Sequence, residues 1–282
     1  MATLEEQLGG KDRGDGFKQF PWWLVAIIAF LILMAIIIIV NPEFNAAFQF
    51  IIGSVGSIDD LLSRDILAFV GTGISLTLYI TLMSFLISLV IGLFVGVGRV
   101  SKNVVVRNLA ISYVEFIRGI PILVLIFTIA FVIVPAVADL FNMANRAIPN
   151  STRGIIALSI IYGAFMAEIF RAGIESIPPG QTEAARSLGM TSLQSMRHII
   201  LPQAIRNIMP ALGNDFIATL KDSSLLSVLA VREITQMSRL FAGRSFRFRE
   251  SYLVLTFLYL TMTLALSLLL RWYERRLKTD GR

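Results

Sequence analysis

Polar side chains are scarce in this chain, so the places where they gather are informative. The densest group within a long hydrophobic stretch is Asn214, Asp215, Thr219, Lys221, Asp222, Ser223 and Ser224. Carboxylates, an amine, an amide and hydroxyls at this spacing would either line a path for a polar solute or satisfy one another between packed helices. On a helical wheel Asn214 and Lys221 fall on one side, and Asp215, Thr219 and Asp222 gather on an adjacent one. Lys221 and Asp222 are neighbours in sequence and do not face each other on a regular helix, so each needs a partner from elsewhere. Glu115 and Arg118 stand three apart, as do Glu168 and Arg171, the spacing of an ion pair on one helix face. The first pair is expected to steady a helix start or to border the path; the second, to anchor the loop that follows it. With no cysteine and His198 as the single histidine, a cysteine nucleophile, a thiolate metal site and a histidine cage are excluded. The chain also has no G-x-x-x-x-G-K-[ST] phosphate loop and so is not expected to hydrolyse ATP.

The elements that carry these side chains are apolar. Of 282 residues, 56% are hydrophobic and 16% charged, where ordinary soluble domains carry about 25% charge. Mean hydropathy is +0.75. Residues 20–42, 66–98, 119–138 and 251–270 contain no charge, and each run is long enough for a helix to cross a hydrocarbon core about 30 Å thick. Trp22-Trp23 and Trp272-Tyr273 suit the membrane–water interface. Two segments, 154–172 and 207–231, are more polar; the second holds Pro210 and the densest cluster, which must face protein or water rather than lipid. The expectation is an all-α integral membrane protein with six spans.

Lys and Arg concentrate in 99–107, 171–206 and the C-terminal tail, whereas 41–70 is acidic. The three basic segments share one side if both termini are cytoplasmic. One segment disagrees: 233–250 carries Arg239, Arg244, Arg247 and Arg249 against Glu233 and Glu250, yet six spans place it outside. The net charge of +6 is thus dispersed among membrane loops, which argues against a nucleic-acid partner. The first span reads as an uncleaved helix rather than a signal peptide, because its apolar run exceeds a usual h-region. Thr77, Ser84 and Ser88 share one face of the second span and are expected to pack or bond to backbone.

Between the fourth and fifth spans lies Glu175–Ala204, ESIPPGQTEAARSLGMTSLQSMRHIILPQA. Pro178-Pro179-Gly180 breaks the chain, and a short helix follows through Glu183–Leu188. Gly189 stands where a helix end needs a left-handed residue. Thr191 and Gln194 suit a capping box for a second helix running toward Pro202. Ile199, Ile200 and Leu201 offer an apolar face. From physics alone this is a compact helical pair, equally a tie between two spans or a docking element.

Glu183-Ala184-Ala185, Gly189 and Ile200-Leu201-Pro202 resemble the EAA loop of ATP-binding cassette (ABC) importer permeases. In that family the loop forms a coupling helix docked in a groove of the ATPase. Glu115-Phe116-Ile117-Arg118-Gly119-Ile120-Pro121 resembles the E-x-x-R-G-[TI]-P element of the polar amino acid permeases. Ala167–Ile174, and Gly213–Phe216 followed by Lys221–Leu225, resemble two further signatures, so the likeness covers about residues 71–272.

The resemblance implies a type I ABC importer permease fold, a five-helix core plus one extra N-terminal transmembrane helix. The expected organisation is a cytoplasmic tail 1–20, the extra helix 21–41, an extracytoplasmic loop 42–70, the permease domain 71–272 with the EAA loop at about 175–204, and a cytoplasmic tail 273–282. Glu183, Ala184, Ala185, Gly189, Ile200, Leu201 and Pro202 are the expected ATPase-coupling residues. The implied partners are ABC ATPase subunits, a second permease subunit, identical or paralogous, and an extracytoplasmic amino-acid-binding protein, in a bacterial cytoplasmic (inner) membrane. No cofactor is expected in this chain; ATP and Mg belong to the ATPase. An ion-coupled amino acid carrier, using the charges of 207–231, and a non-transporting scaffold are the alternatives.

Overall fold

The computed structural model describes residues 22–54, 70–142 and 148–279; the expected tail 1–20 and residues 55–69 of the expected loop lie outside the described residues. The helices are α1 Trp22–Val40, α2 Pro42–Ile52, α3 Ile74–Arg99, α4 Val104–Arg118, α5 Ile122–Leu140, α6 Asn150–Glu175, α7 Pro179–Ser187, α8 Ser192–Ser195, α9 Leu201–Asp222, α10 Ile234–Ser245 and α11 Phe248–Thr279. A π turn, Met196–Ile200, joins α8 to α9, and a 3-10 turn, Ser223–Leu229, follows α9. Among the described residues the only β pairing is an isolated bridge between Gly73 and Glu233.

Helices α3, α5, α6 and α11 are long and apolar enough to cross a membrane. At the centre α3 lies against α6, through a stripe of small buried residues, Thr77, Thr81, Ser84, Ser88, Gly92 and Gly96. Lipid gives no hydrophobic drive to helix pairing, so association needs close van der Waals approach, which small side chains permit. The approach is tight: a Cβ on Gly96 would stand 2.7 Å from the Phe170 Cβ and 2.9 Å from the Ala167 carbonyl oxygen. The stripe's hydroxyls are satisfied by backbone, Thr77 donating to the Gly73 carbonyl and Thr81 to the Thr77 carbonyl, both at 2.8 Å. Ser84 donates across to the Ile155 carbonyl at 3.4 Å, so this face packs, as its spacing predicts.

Helix α5 contains a π turn at Ile129–Ile133, where the Val134 N–H reaches the Ile129 carbonyl. In that register the next acceptor, the carbonyl of Ala130, faces Pro135, which has no N–H to give. Buried Arg153 of α6 fills the gap, its guanidinium donating to that carbonyl at 3.2 Å.

The structure corrects the reading of 42–70 as a loop. Asn41 caps α2 by accepting from the Glu43 N–H at 2.9 Å, and Pro42 occupies the helix start, where its fixed φ and missing N–H cost nothing. Helix α2 bends 103° from α1 and lays Phe44, Ala47 and Ile51 against Ile234, Val254 and Leu258. The segment 233–250 likewise folds, as α10 beside α2. Three of its four arginines have partners: Arg247 pairs with Glu43 at 3.0 Å, Arg249 with Glu250 at 2.8 Å, and Arg244 lies 5.8 Å from the Phe50 ring centre.

Boundaries shift elsewhere. The segment expected as the fifth span is α9, which begins before residue 207 and closes in the 3-10 turn. It is too polar to be among the helices apolar enough to cross a membrane. Those number four among the described residues, or five if the bent pair α1–α2 is one span, against the six expected. Helix α11 continues past residue 273 to Thr279. The third span is preceded by a separate helix, α4, because Gly119 and Pro121 interrupt the chain between α4 and α5.

Candidate functional site

At the end of the bundle opposite α2 and α10, the segment 175–204 folds as its caps dictate. Helix α7 ends in a paired backbone lock: the Gly189 N–H donates to the Arg186 carbonyl at 2.9 Å, and the Met190 N–H to the Ala185 carbonyl at 3.1 Å. This geometry needs a left-handed residue, and Gly189 has φ +79°. Thr191 and Gln194 form the expected capping box, with the Gln194 N–H on the Thr191 hydroxyl at 3.3 Å and the Thr191 N–H on the Gln194 side chain at 2.8 Å. The second helix does not stop at Pro202. The π turn Met196–Ile200 precedes it, Pro202 sits in the first turn of α9, and the segment 175–204 runs into α9 with no break in helical structure.

Glu183 and Ala184 are exposed, while Ala185 is buried. Ile200 turns inward, packing with Ile174, Ile177 and Ala204, and Leu201 is half-buried. The apolar face expected from Ile199–Leu201 is therefore an anchor to the spans, not an outward surface. The outward apolar residues are Leu188, 83% exposed, and Leu193, 77% exposed, on either side of Gly189. Sequence reasoning missed both, since nothing in their type tells an exposed leucine from a core one.

The loop's stems are tied. Glu168 binds both Arg171, one turn on, and Arg99 at the end of α3, and Arg171 also reaches Glu175. The Asn207 side chain donates to the Ser176 hydroxyl at 3.0 Å, joining the α6 end to α9. Glu168 and Arg171 thus anchor the loop, and Arg99 is a partner that spacing did not reveal. Glu115 and Arg118 are corrected: both are exposed and they form no ion pair with each other; Arg118 lies 5.9 Å from the Phe165 ring centre instead. Both stand in the last turn of α4, just before the break at Gly119.

Helix α9 presents two polar faces, divided as the helical wheel predicts. Toward α6, Asp222 accepts from the Tyr162 hydroxyl at 2.9 Å, Thr219 donates to the Asp215 carbonyl at 2.8 Å, and Asp215 Oδ2 is buried without a hydrogen-bond partner among the described residues. Ser223 is buried and donates to the Leu220 carbonyl at 2.7 Å, and Ser224 is half-buried. Away from α6, Asn214 and Lys221, seven apart, are exposed. Lys221 opens on a cleft of about 420 Å³ shared with Thr256, Tyr259 and Thr263 of α11. The structure therefore separates Lys221 from Asp222, giving Asp222 an internal partner, Tyr162, and leaving Lys221 outward. Tyr162 was missed because it lies 60 residues away, on another helix.

Comparison with known proteins agrees with this architecture. Residues 88–279 match the family model described as "Binding-protein-dependent transport system inner membrane component". The probable amino-acid permease protein YxeN of Bacillus subtilis (strain 168) is 35% identical over 207 residues, covering 73% of this chain and 90% of that protein. The glutamine transport system permease protein GlnP of Escherichia coli (strain K12) is 36% identical over 206 residues, covering 73% and 91%. A solved amino acid ABC transporter with histidines superposes with a TM-score of 0.64 at 41% identity, over 72% of this chain and 92% of that one. The fold is that of type I ABC importer permeases. By sequence, helix order and loop, the chain belongs to the family of inner membrane components of binding-protein-dependent transport systems.

Proposed function

We propose that this chain is the membrane-spanning permease subunit of an ABC importer for polar amino acids, with both termini cytoplasmic and the loop 175–204 facing its ATPases. The observation that carries the reading is the continuous helical link from the loop: α7, capped at Gly189, leads through α8 and the π turn directly into α9, which bears Asn214, Lys221 and Asp222. A push on the loop therefore moves the polar helix as a body.

In this reading Glu183, Ala184, Gly189, Leu188 and Leu193 contact the ATPase, while Ala185, Ile200 and Leu201 transmit, and Pro202 sits at the join. ATP and Mg are bound by the ATPase, whose closure opens the path outward and whose hydrolysis resets it. A binding protein delivers the amino acid at the α2–α10 end. The exposed Asn214 and Lys221 support a second permease subunit: an amine exposed at bilayer depth is costly against lipid and is accommodated by a partner or a watery path between subunits. Substrate-stimulated ATPase activity of the assembled complex tests the coupling. Gly189→Asp is expected to abolish stimulation while the complex stays intact; full stimulation in that variant overturns the reading.

A further inference from the structure

A cavity of about 390 Å³ lies between the end of α3, the turn after it, and the α7–α8 part of the coupling loop. Val97, Val100 and Met196 supply an apolar wall, and Lys102 and Arg186 stand beside it. Among the described residues no carboxylate lines the cavity, and neither cation has an ion-pair partner. Ser195, also in the lining, is 1% exposed, and its hydroxyl has no hydrogen-bond partner among the described residues. A buried hydroxyl left unpaired is costly, so a site that completes it has a reason to exist.

Two cations and a buried hydroxyl beside an apolar wall match a phosphate joined to an apolar body. The apolar span α3 ends at Arg99, immediately before this cavity, so the cavity stands where a span leaves the bilayer. Clustered Lys and Arg at that level attract anionic headgroups. We propose that the cavity binds the headgroup phosphate of an anionic phospholipid. Lys102 and Arg186 hold the phosphate, Ser195 donates a hydrogen bond to it, and Val97 and Met196 meet the glycerol and upper acyl carbons. Bound there, the lipid bridges the turn after α3 to the coupling loop. The site rests on the permease reading only for the leaflet that supplies the lipid, the cytoplasmic one.

Native mass spectrometry of the full chain, titrated with phosphatidylglycerol and with phosphatidylcholine of the same acyl chains, tests this directly. Phosphatidylglycerol is expected to be retained preferentially, with affinity falling about fivefold for each of Lys102→Ala and Arg186→Ala, and kept in Lys102→Arg. Ser195→Ala is expected to weaken retention as well. Equal retention of the two lipids, or unchanged retention in the Lys102→Ala/Arg186→Ala double variant, overturns the proposal. Displacement of the lipid by glycerol 3-phosphate would assign the site to soluble phosphate esters and overturn the lipid; no displacement supports it. ATP-driven uptake is measured separately on the assembled complex. Selective lipid retention without uptake leaves this site standing and sinks the importer reading, and uptake without selective retention does the reverse.

Discussion

Glu233 lies where α3, α10 and α11 meet, with none of its surface exposed. It caps α10 by accepting from the Thr235 and Gln236 N–H groups, each at 2.8 Å, and accepts from the Tyr259 hydroxyl at 3.2 Å. Burial outweighs these bonds and pushes the carboxyl up to about 7 from its ordinary 4.5. The folded chain therefore holds a proton between those values that the unfolded chain has lost, so stability falls as pH rises through the window and levels off above it. Thermal unfolding across pH 5–8 is expected to show this as a loss of about 1.4 kcal/mol per pH unit within the window, absent in Glu233→Gln. The same decline in that variant would refute the assignment. At this scale the sequence was partly legible. The three-residue spacing of Glu168 and Arg171 announced their bond, but the same spacing misled at Glu115 and Arg118, because spacing sets what two side chains can reach and tertiary surroundings decide what they do reach. Arg99 and Tyr162 were illegible for a related reason: their partners come from other helices.

Helices α3 and α6 meet through glycines, so their contact is sensitive to single carbons. Gly96→Val places a Cβ against Phe170 and the Ala167 carbonyl, and overpacking of this kind costs about 1–3 kcal/mol; a lowered unfolding temperature in detergent is the expected result. Arg153 and Pro135 act on one carbonyl, that of Ala130. Arg153→Met leaves this carbonyl unpaired at a cost of about 1–3 kcal/mol, and Pro135→Ala, by restoring an N–H, is expected to reduce that loss. A double-mutant cycle with no coupling would contradict the account of the π turn. The spans, the α7 lock and the α8 capping box were legible, because hydrophobic length and cap chemistry act locally. The signals for α2 were equally local, Asn41 before Pro42, but its eleven residues are too few for the hydrophobic length that marks a span. The π turns were not legible, since a π turn is a compromise between a proline and its neighbours' packing.

As a whole, the molecule joins the capped loop 175–204 at one end to a polar helix within the bundle, while α2 and α10 form a platform at the other end. The family was legible from four ordered motifs, but the outward turn of Lys221 and the exposure of Leu188 and Leu193 required the assembled fold. Because the chain contains no cysteine, Asn214→Cys introduces its only thiol. In the lipid-embedded complex that thiol is expected to react with a membrane-impermeant reagent and to be protected by transported amino acid; no reaction in any state would remove Asn214 from the path. The central claim is tested most directly by amino acid uptake into proteoliposomes that hold this chain, its ATPase and its binding protein, with and without ATP on the ATPase side. Gly189 has open space around it, so Gly189→Asp strains the turn by only about 1–2 kcal/mol while placing a carboxylate on the coupling surface. The account predicts uptake that requires ATP and is lost in the intact Gly189→Asp complex; uptake that follows an imposed ion gradient and ignores ATP would contradict it.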